Sequence, residues 1–233
     1  MIDQAVAARL APRASFTTIY SAMRTECYVP SDARRRAARA HWGVTDDDVV
    51  VGTVARLFRN KGYEELIAAM PEAVAGAGNL RFVWVGDGAD RDRYMARLQS
   101  LGLRDRVHLT GLVPPDDIPD LIAGFDLLVH ASRWEGLPRA LVQGLLMEVP
   151  GVSFDNDGAP EVIINDRTGI LVPFDHIAAL SAAIVRLAQS ASLRRQLGHT
   201  GRRLCLERFS AQRMISDLER LYERLLDDPP QGR

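Results

Sequence analysis

From Val49 onward the chain alternates short apolar runs with longer stretches whose apolar positions recur at helical spacing. The runs are VVVGTVA (49–55), RFVWVG (81–86), VHLTGL (107–112), DLLVHA (126–131), GVSFD (151–155) and GILVP (169–173). They are Val-rich and mostly continuous, the pattern of strands covered on both faces in a parallel sheet. Between them, YEELIAAMPEAVAG (63–76), DRDRYMARLQSLG (90–102), DIPDLIAGF (117–125) and PRALVQGLLM (138–147) read as amphipathic helices. The alternation predicts an α/β fold: a Rossmann-like, doubly wound parallel sheet of about six strands, joined by right-handed crossovers. After the last run the pattern is helical, through HIAALSAAIVRLAQ (176–189), SLRRQLGHTGRRLCLERF (192–209) and SAQRMISDLERLYERLL (210–226). Ser210 is placed to cap the last of these.

The first part of the chain breaks this rhythm. Residues 1–14 have a helical pattern, SFTTIYSAM (15–23) reads as one lone strand with its exit turn, and 31–42 reads as another helix. One helix–strand unit cannot bury both faces of its strand, so this part is expected to belong to a preceding domain or to dock onto the main one. The expected division is 1–22 as a remnant of an N-terminal domain, 23–45 as a linker and 46–226 as the main domain. The polar, Pro-rich end DDPPQGR (227–233) is expected to be a disordered tail.

Composition narrows the function classes. Of 233 residues, 47% are hydrophobic and 25% charged, the balance of an ordinary globular protein. A net charge of -1 provides no global field for nucleic acid. No apolar run approaches the roughly 20 residues that span a bilayer. The start MIDQAVAARLAPRAS carries an early Asp3 and no continuous apolar stretch, so it does not read as a secretory signal. Cys27 and Cys205 stand far apart in no metal-like spacing, which suits a reducing, cytoplasmic compartment. His41, His108, His130, His176 and His199 form no HxxxH or HExxH pattern, so no metal is expected and they read as structural or surface residues. Arg34, Arg35, Arg36 and Arg39 fall along one helix and read as a solvated face, with an anionic-lipid or partner site as the open alternative.

Ligands of doubly wound sheets bind beyond the carboxyl ends of the strands, so the loops there carry the candidate chemistry. In ARLFRNKG (55–62), Arg56, Arg59 and Lys61 precede a helix starting near Tyr63. Cations beside a helix N-terminus make a site for phosphate or diphosphate, against the plainer reading of three surface charges. In VGDGADR (85–91), Gly86 and Gly88 are followed by Arg91 where a dinucleotide fingerprint needs glycine. The tight turn explains both glycines, and no nicotinamide or flavin cofactor is expected. Pro114 and Pro115 hold the next loop extended, leaving backbone at Leu112 and Val113 able to hydrogen-bond a flat ring such as a nucleobase; an ordinary strand-to-helix turn fits as well. In SRWEGLP (132–138), Pro138 takes the first helical position, and Leu141, Val142, Leu145, Leu146 and Val149 form one apolar stripe. Gln143 lies off that stripe, free to face the strand ends. Glu135 sits at the mouth of the helix, either complementing its dipole or accepting hydrogen bonds from ligand hydroxyls beside a helix-bound phosphate. Spacing does not choose between these.

Taken together, ARLFRNKG, FVWVGDG, RVHLTGLV, SRWEGLPRALVQ and the later PEVI resemble the donor-binding domain of the retaining glycosyltransferases of family 4, over about residues 15–226. The resemblance implies one half of a GT-B fold, in which two Rossmann-like domains face each other across a cleft. It implies that Arg56 and Lys61 bind the donor diphosphate and stabilise it as a leaving group. Glu135, the first glutamate of an E-x7-E motif, would contact donor-sugar hydroxyls, completing the catalytic set. Backbone N–H groups of Gly136 and Leu137 would meet the sugar, those of Arg139 and Ala140 the phosphates, and main chain at Val113 the base. The substrate would be a nucleoside diphosphate sugar, with no cofactor or metal.

Three departures from the family pattern stand out. Gln143 replaces the second glutamate, a ribose ligand, keeping hydrogen-bonding ability without charge. The helix end reads MEVPG, with Glu148 in place of a glycine and Gly151 in place of a β-branched residue, which predicts a crowded helix end and a weak strand start. Most of the N-terminal acceptor domain has no counterpart, so the expectation is a donor-binding domain inactive without that half, with a separately encoded N-terminal domain as a candidate partner. The alternative is a non-catalytic nucleotide or nucleotide-sugar binding module. A sugar-nucleotide epimerase of the same fold would require carboxylate chemistry that the sequence does not display.

Overall fold

A computed structural model describes residues 2–227. Six strands form one sheet: β1 Val49–Val54, β2 Leu80–Val85, β3 Val107–Leu109, β4 Leu127–His130, β5 Gly151–Phe154 and β6 Gly169–Val172. Every pairing is parallel, and the order is β3-β2-β1-β4-β5-β6. The helices are α1 Ile2–Ala7, α2 Asp32–His41, α3 Tyr63–Gly76, α4 Arg91–Ser100, α5 Ile118–Ile122, α6 Arg139–Leu146, α7 Ala159–Val162, α8 Ile177–Ala188, α9 Ala191–Arg208 and α10 Ala211–Asp227. This is the doubly wound Rossmann-like arrangement that the strand–helix alternation predicts. The winding grows outward to β3 and then restarts at β4 on the other side of β1. The crevice between β1 and β4 is therefore the topological switch point, where such sheets bind ligands.

Strand periodicity sorts the core into two layers. Val51, Phe82, Trp84, Leu127 and Val129 face one side, with α3 and α8 packed over them. Val50, Val83 and Leu128 face the other, against Leu141 and Leu145 of α6 and Phe209 beyond α9. Each such side chain, fully buried, contributes about 1.5–3 kcal/mol through removal from water. The stripe of Leu141, Val142, Leu145, Leu146 and Val149 is buried in full, which fixes the angle of α6 against β4 and β5.

The N-terminal part departs from expectation. Residues 15–23 do not form a strand: a single parallel bridge joins Met23 to Ser210, and Met23 N–H donates to the Phe209 carbonyl at 2.8 Å. Its backbone pairs with the end of α9 in place of a sheet edge, and Tyr20 packs edge-on to Phe209 at 5.3 Å. The arginines of α2 also need correction. Arg35 and Arg39, one turn apart, both turn inward to Asp126, with contacts of 2.8 and 3.0 Å. Arg39 is 3% exposed and further donates to the carbonyls of Thr45, Asp48 and Gly124. Only Arg34 and Arg36 remain as a solvated face. Asp126 also accepts from Val50 N–H at 2.8 Å, so one carboxylate ties α2 to the amino end of β1. Trp42 completes the docking by stacking on Phe125 at 5.7 Å.

At the other end, Ser210 Oγ accepts from Arg213 N–H at 3.3 Å and caps α10, as expected. That helix runs to Asp227, and the remainder of the expected tail, 228–233, lies outside the described residues. After α6, Glu148 adopts a left-handed conformation with φ 60°, the backbone state that glycine takes at helix ends. At Gly151 the space a side chain would occupy is filled by Leu141 and Ile163, so the β5 start is packed from outside.

Candidate functional site

Loops following β1, β4 and β5 converge at the switch point. The first contains a short 3-10 turn, Arg59–Lys61, and enters α3 through Gly62 at φ 76°. A Cβ on Gly62 would lie 1.8 Å from the Ala131 carbonyl oxygen, so only glycine lets this loop close on the end of β4. Two hydrogen bonds lock the loops together: Arg133 N–H and Ser132 Oγ both donate to the Asn60 carbonyl, at 3.0 and 3.1 Å. From β5, Asn156 Nδ2 donates to the Arg133 carbonyl at 2.8 Å, and Glu135 N–H donates to Asp157 at 3.0 Å. The backbone around Glu135 is thus held from both sides.

The centre of the site is an ion pair. Lys61 Nζ lies 2.5 Å from Glu135 Oε1, with the two side chains 17% and 24% exposed. Ser132 Oγ also lies 3.1 Å from the same oxygen, sharing its one proton between this carboxylate and the Asn60 carbonyl. His130 Nε2 stands 3.6 Å from it, acting as a neighbouring group beyond hydrogen-bond length. Burial acts to raise the Glu135 carboxyl, but His130 and Lys61 outweigh it and hold the pKa at about 2. The carboxylate is therefore fully charged near neutrality. Its contacts gather on Oε1, which leaves Oε2 as a hydrogen-bond acceptor for a hydroxyl group. Lys61 uses one of its three donors on Glu135 and keeps the others for an anion.

Arg56 and the start of α6 are the other groups expected to meet phosphate. Arg56 is exposed, stacks its guanidinium over the Phe58 ring at 4.8 Å, and makes no ion pair among the described residues. Pro138 is the N-cap of α6, not its first residue, and no side chain caps the helix. Among the described residues, the N–H groups of Gly136, Leu137, Arg139 and Ala140 have no acceptor. Four backbone donors and a positive helix end thus follow Glu135, which holds Lys61, within a few residues of the chain. Arg139 is exposed and unpaired among the described residues.

The other expected site residues take different places. Gln143 does not face the strand ends freely: its Nε2 donates to the Tyr28 hydroxyl at 2.6 Å. Val113 is half-buried after β3, followed by Pro114 in extended conformation, while Pro115 already opens a 3-10 turn, Pro115–Asp117. Gly86, at φ 139°, passes within a Cβ radius of the Ala55 carbonyl, so close approach to the β1 loop accounts for this glycine. Residues that the sequence reading missed include His130, whose buried Nε2 has no hydrogen-bond partner, as well as Ser132 and Asp157. Among the described residues no group of three or more His, Cys, Asp or Glu side chains is placed to hold a metal ion. None of the described helices is long and apolar enough to cross a membrane.

A six-stranded parallel sheet of this kind is the Rossmann-like fold of one half of a GT-B structure. The chain belongs to the glycosyl transferases group 1 family, which it matches over residues 34–204. It is 30% identical over 195 residues to alpha-D-kanosaminyltransferase of Streptomyces kanamyceticus, a match covering 84% of this chain and 50% of that protein. It is 31% identical over 204 residues to EpsD of Bacillus subtilis, covering 87% of this chain and 53% of EpsD. The chain thus spans about half the length of the curated relatives it matches. Anabaena HepE, solved in complex with UDP and glucose, superposes with a TM-score of 0.82 at 24% identity, over 96% of this chain and 60% of HepE.

Proposed function

We propose that this chain is the donor-binding half of a retaining glycosyltransferase of family 4, using a nucleoside diphosphate sugar. The observation that carries the reading is the Lys61–Glu135 pair at 2.5 Å, with Glu135 a few residues before the uncapped start of α6. A diphosphate carries two or more negative charges and many acceptor oxygens, and the loops after β1 and β4 supply cations and backbone amides that have no partner among the described residues. Glu135 Oε2, held charged, suits the hydroxyls of the attached sugar. The complex of HepE with UDP and glucose supports the same class of ligand.

In the proposed reaction the diphosphate departs while Arg56, Lys61 and the α6 amides meet its growing charge, and an acceptor hydroxyl attacks on the same face of the sugar. Residues 46–226 bind the donor, 23–45 link, and acceptor binding falls to a second GT-B domain; the 233-residue chain alone is proposed to bind donor without transferring it. The charge compensation proposed here needs no metal or cofactor. The free thiols Cys27 and Cys205 suit the cytoplasm, where this reading places the chain.

Calorimetric titration with UDP, GDP and ADP tests the proposal. At least one should bind, with affinity falling about tenfold or more in Arg56→Ala or Lys61→Ala. No binding of any of the three at millimolar concentration, or binding indifferent to both substitutions, overturns it. Sugar transfer by the purified chain alone would overturn the division of labour between two domains.

A further inference from the structure

A separate cleft of about 640 Å³ lies between residues 17–20, the loop before β6, α9 and α10. None of its lining residues comes from the loops after β1 and β4. Its walls carry six arginines and two carboxylates, in a chain whose net charge is -1. Helical spacing gathers them: Arg213, Asp217, Arg220 and Arg224 recur every three or four residues along one face of α10. Arg203 and Glu207 do the same on α9.

The positive charge in this cleft is only partly compensated. Arg213 reaches Asp217 at 2.9 Å, and Arg220 pairs with the same carboxylate. Arg213 and Arg220 hold the Asp217 carboxyl below its usual range, so it stays charged and cancels one guanidinium of the two. Arg224 donates to Thr17 Oγ1 at 3.0 Å and Arg208 to the Glu161 carbonyl at 2.6 Å. Both acceptors are neutral, so they position these guanidiniums without neutralising them. Arg167 and Arg203 are exposed and have no side-chain partner among the described residues. Thr17 accepts from Arg224 and keeps its own proton to donate.

We propose that this cleft is an anion site, independent of the candidate donor site, that takes a molecule bearing two or more phosphate groups. Guanidiniums crowded together repel, and a bound anion removes that cost. Their planar forks match phosphate oxygens two at a time, and a cleft of this size holds more than a single ion. A soluble polyphosphate and a lipid head group with two phosphates present the same chemistry.

The test silences the donor site first. Arg56→Ala/Lys61→Ala is titrated calorimetrically with inorganic tripolyphosphate, beside the same protein carrying Arg167→Gln and Arg203→Gln as well. The first should bind, less tightly as sodium chloride is raised; the second should bind about tenfold or more weakly. Co-sedimentation of both proteins with phosphatidylcholine vesicles, with and without cardiolipin, is the second arm. Capture by cardiolipin vesicles alone, lost on Arg167→Gln/Arg203→Gln, assigns the site to a lipid head group. Tripolyphosphate binding without capture assigns it to a soluble ligand, and both together to either source. Binding in neither arm, or binding indifferent to Arg167→Gln/Arg203→Gln, overturns the proposal and leaves the donor site standing. Nitrogen-15 spectra of the wild-type chain keep the test decisive if the variants fold poorly. Tripolyphosphate should shift the amides of Arg167 and Arg203, and shifts confined to the loops after β1 and β4 overturn the proposal.

Discussion

Replacing Lys61 by Met removes the charge beside Glu135 while keeping most of the aliphatic stem. Burial raises the carboxyl, but His130 and, at 2.5 Å, the Lys61 ammonium together bring it down to about 2 in place of the ordinary 4.5. An opposite charge at this range lowers a carboxyl by roughly 1–3 units, so Glu135 should titrate between about 3 and 5 in the variant. At 1.36 kcal/mol per unit, that corresponds to roughly 1–4 kcal/mol of stability lost at neutral pH. The direction with pH follows from the depressed folded value. The stabilisation is fully present above the unfolded pKa of 4.5 and is lost as pH falls through about 2. The gap in unfolding free energy between wild type and Lys61→Met should therefore be widest near pH 7 and close progressively below about pH 4. Carbon-13 titration of the Glu135 carboxyl gives the pKa directly, and urea unfolding at several pH values gives the gap. Identical Glu135 titration in the two proteins would refute the pairing, as would a stability gap that widens on acidification.

Three further substitutions and reactions test other parts of the structure. Gly62→Ala sets a Cβ 1.8 Å from the Ala131 carbonyl at a positive φ, so urea unfolding should show a loss of about 2–4 kcal/mol. Glu148→Gly relieves a left-handed conformation worth about 1–2 kcal/mol, partly offset by the greater freedom of glycine in the unfolded chain, and should raise stability by about 0.5–1 kcal/mol in the same assay. Cys205 is fully buried, and burial pushes its thiol up to about 12, whereas Cys27 is half-buried; a thiol reagent at pH 8 should label only Cys27 until the protein is unfolded.

The six strands and the helix over 63–76 were legible because each buries a continuous or periodic apolar face, and that pattern is local. The loops after β1 and β4 were legible as well, since charged residues stand out directly after buried strands. His130 was not, because a histidine at the end of an apolar run carries no local mark separating a core position from one that faces a carboxylate. Asp157, Asn156 and Tyr28 act through contacts with residues distant in sequence, which no spacing encodes. Residues 15–23 show the converse error: a β-rich stretch becomes a strand only where a sheet edge is available to pair it. Arg35 and Arg39 look like surface charge until Asp126, far along the chain, is brought beneath them.

The central claim is that a nucleoside diphosphate lies across the start of α6 with its phosphates on free backbone N–H groups. Nitrogen-15 spectra recorded during titration with UDP, GDP and ADP examine those groups individually. The account predicts that the largest, saturable shifts fall on Gly136, Leu137, Arg139 and Ala140, together with Lys61 and Gly62. Shifts that leave these residues unmoved and gather elsewhere, such as the arginine-lined cleft between residues 17–20 and α10, would contradict it.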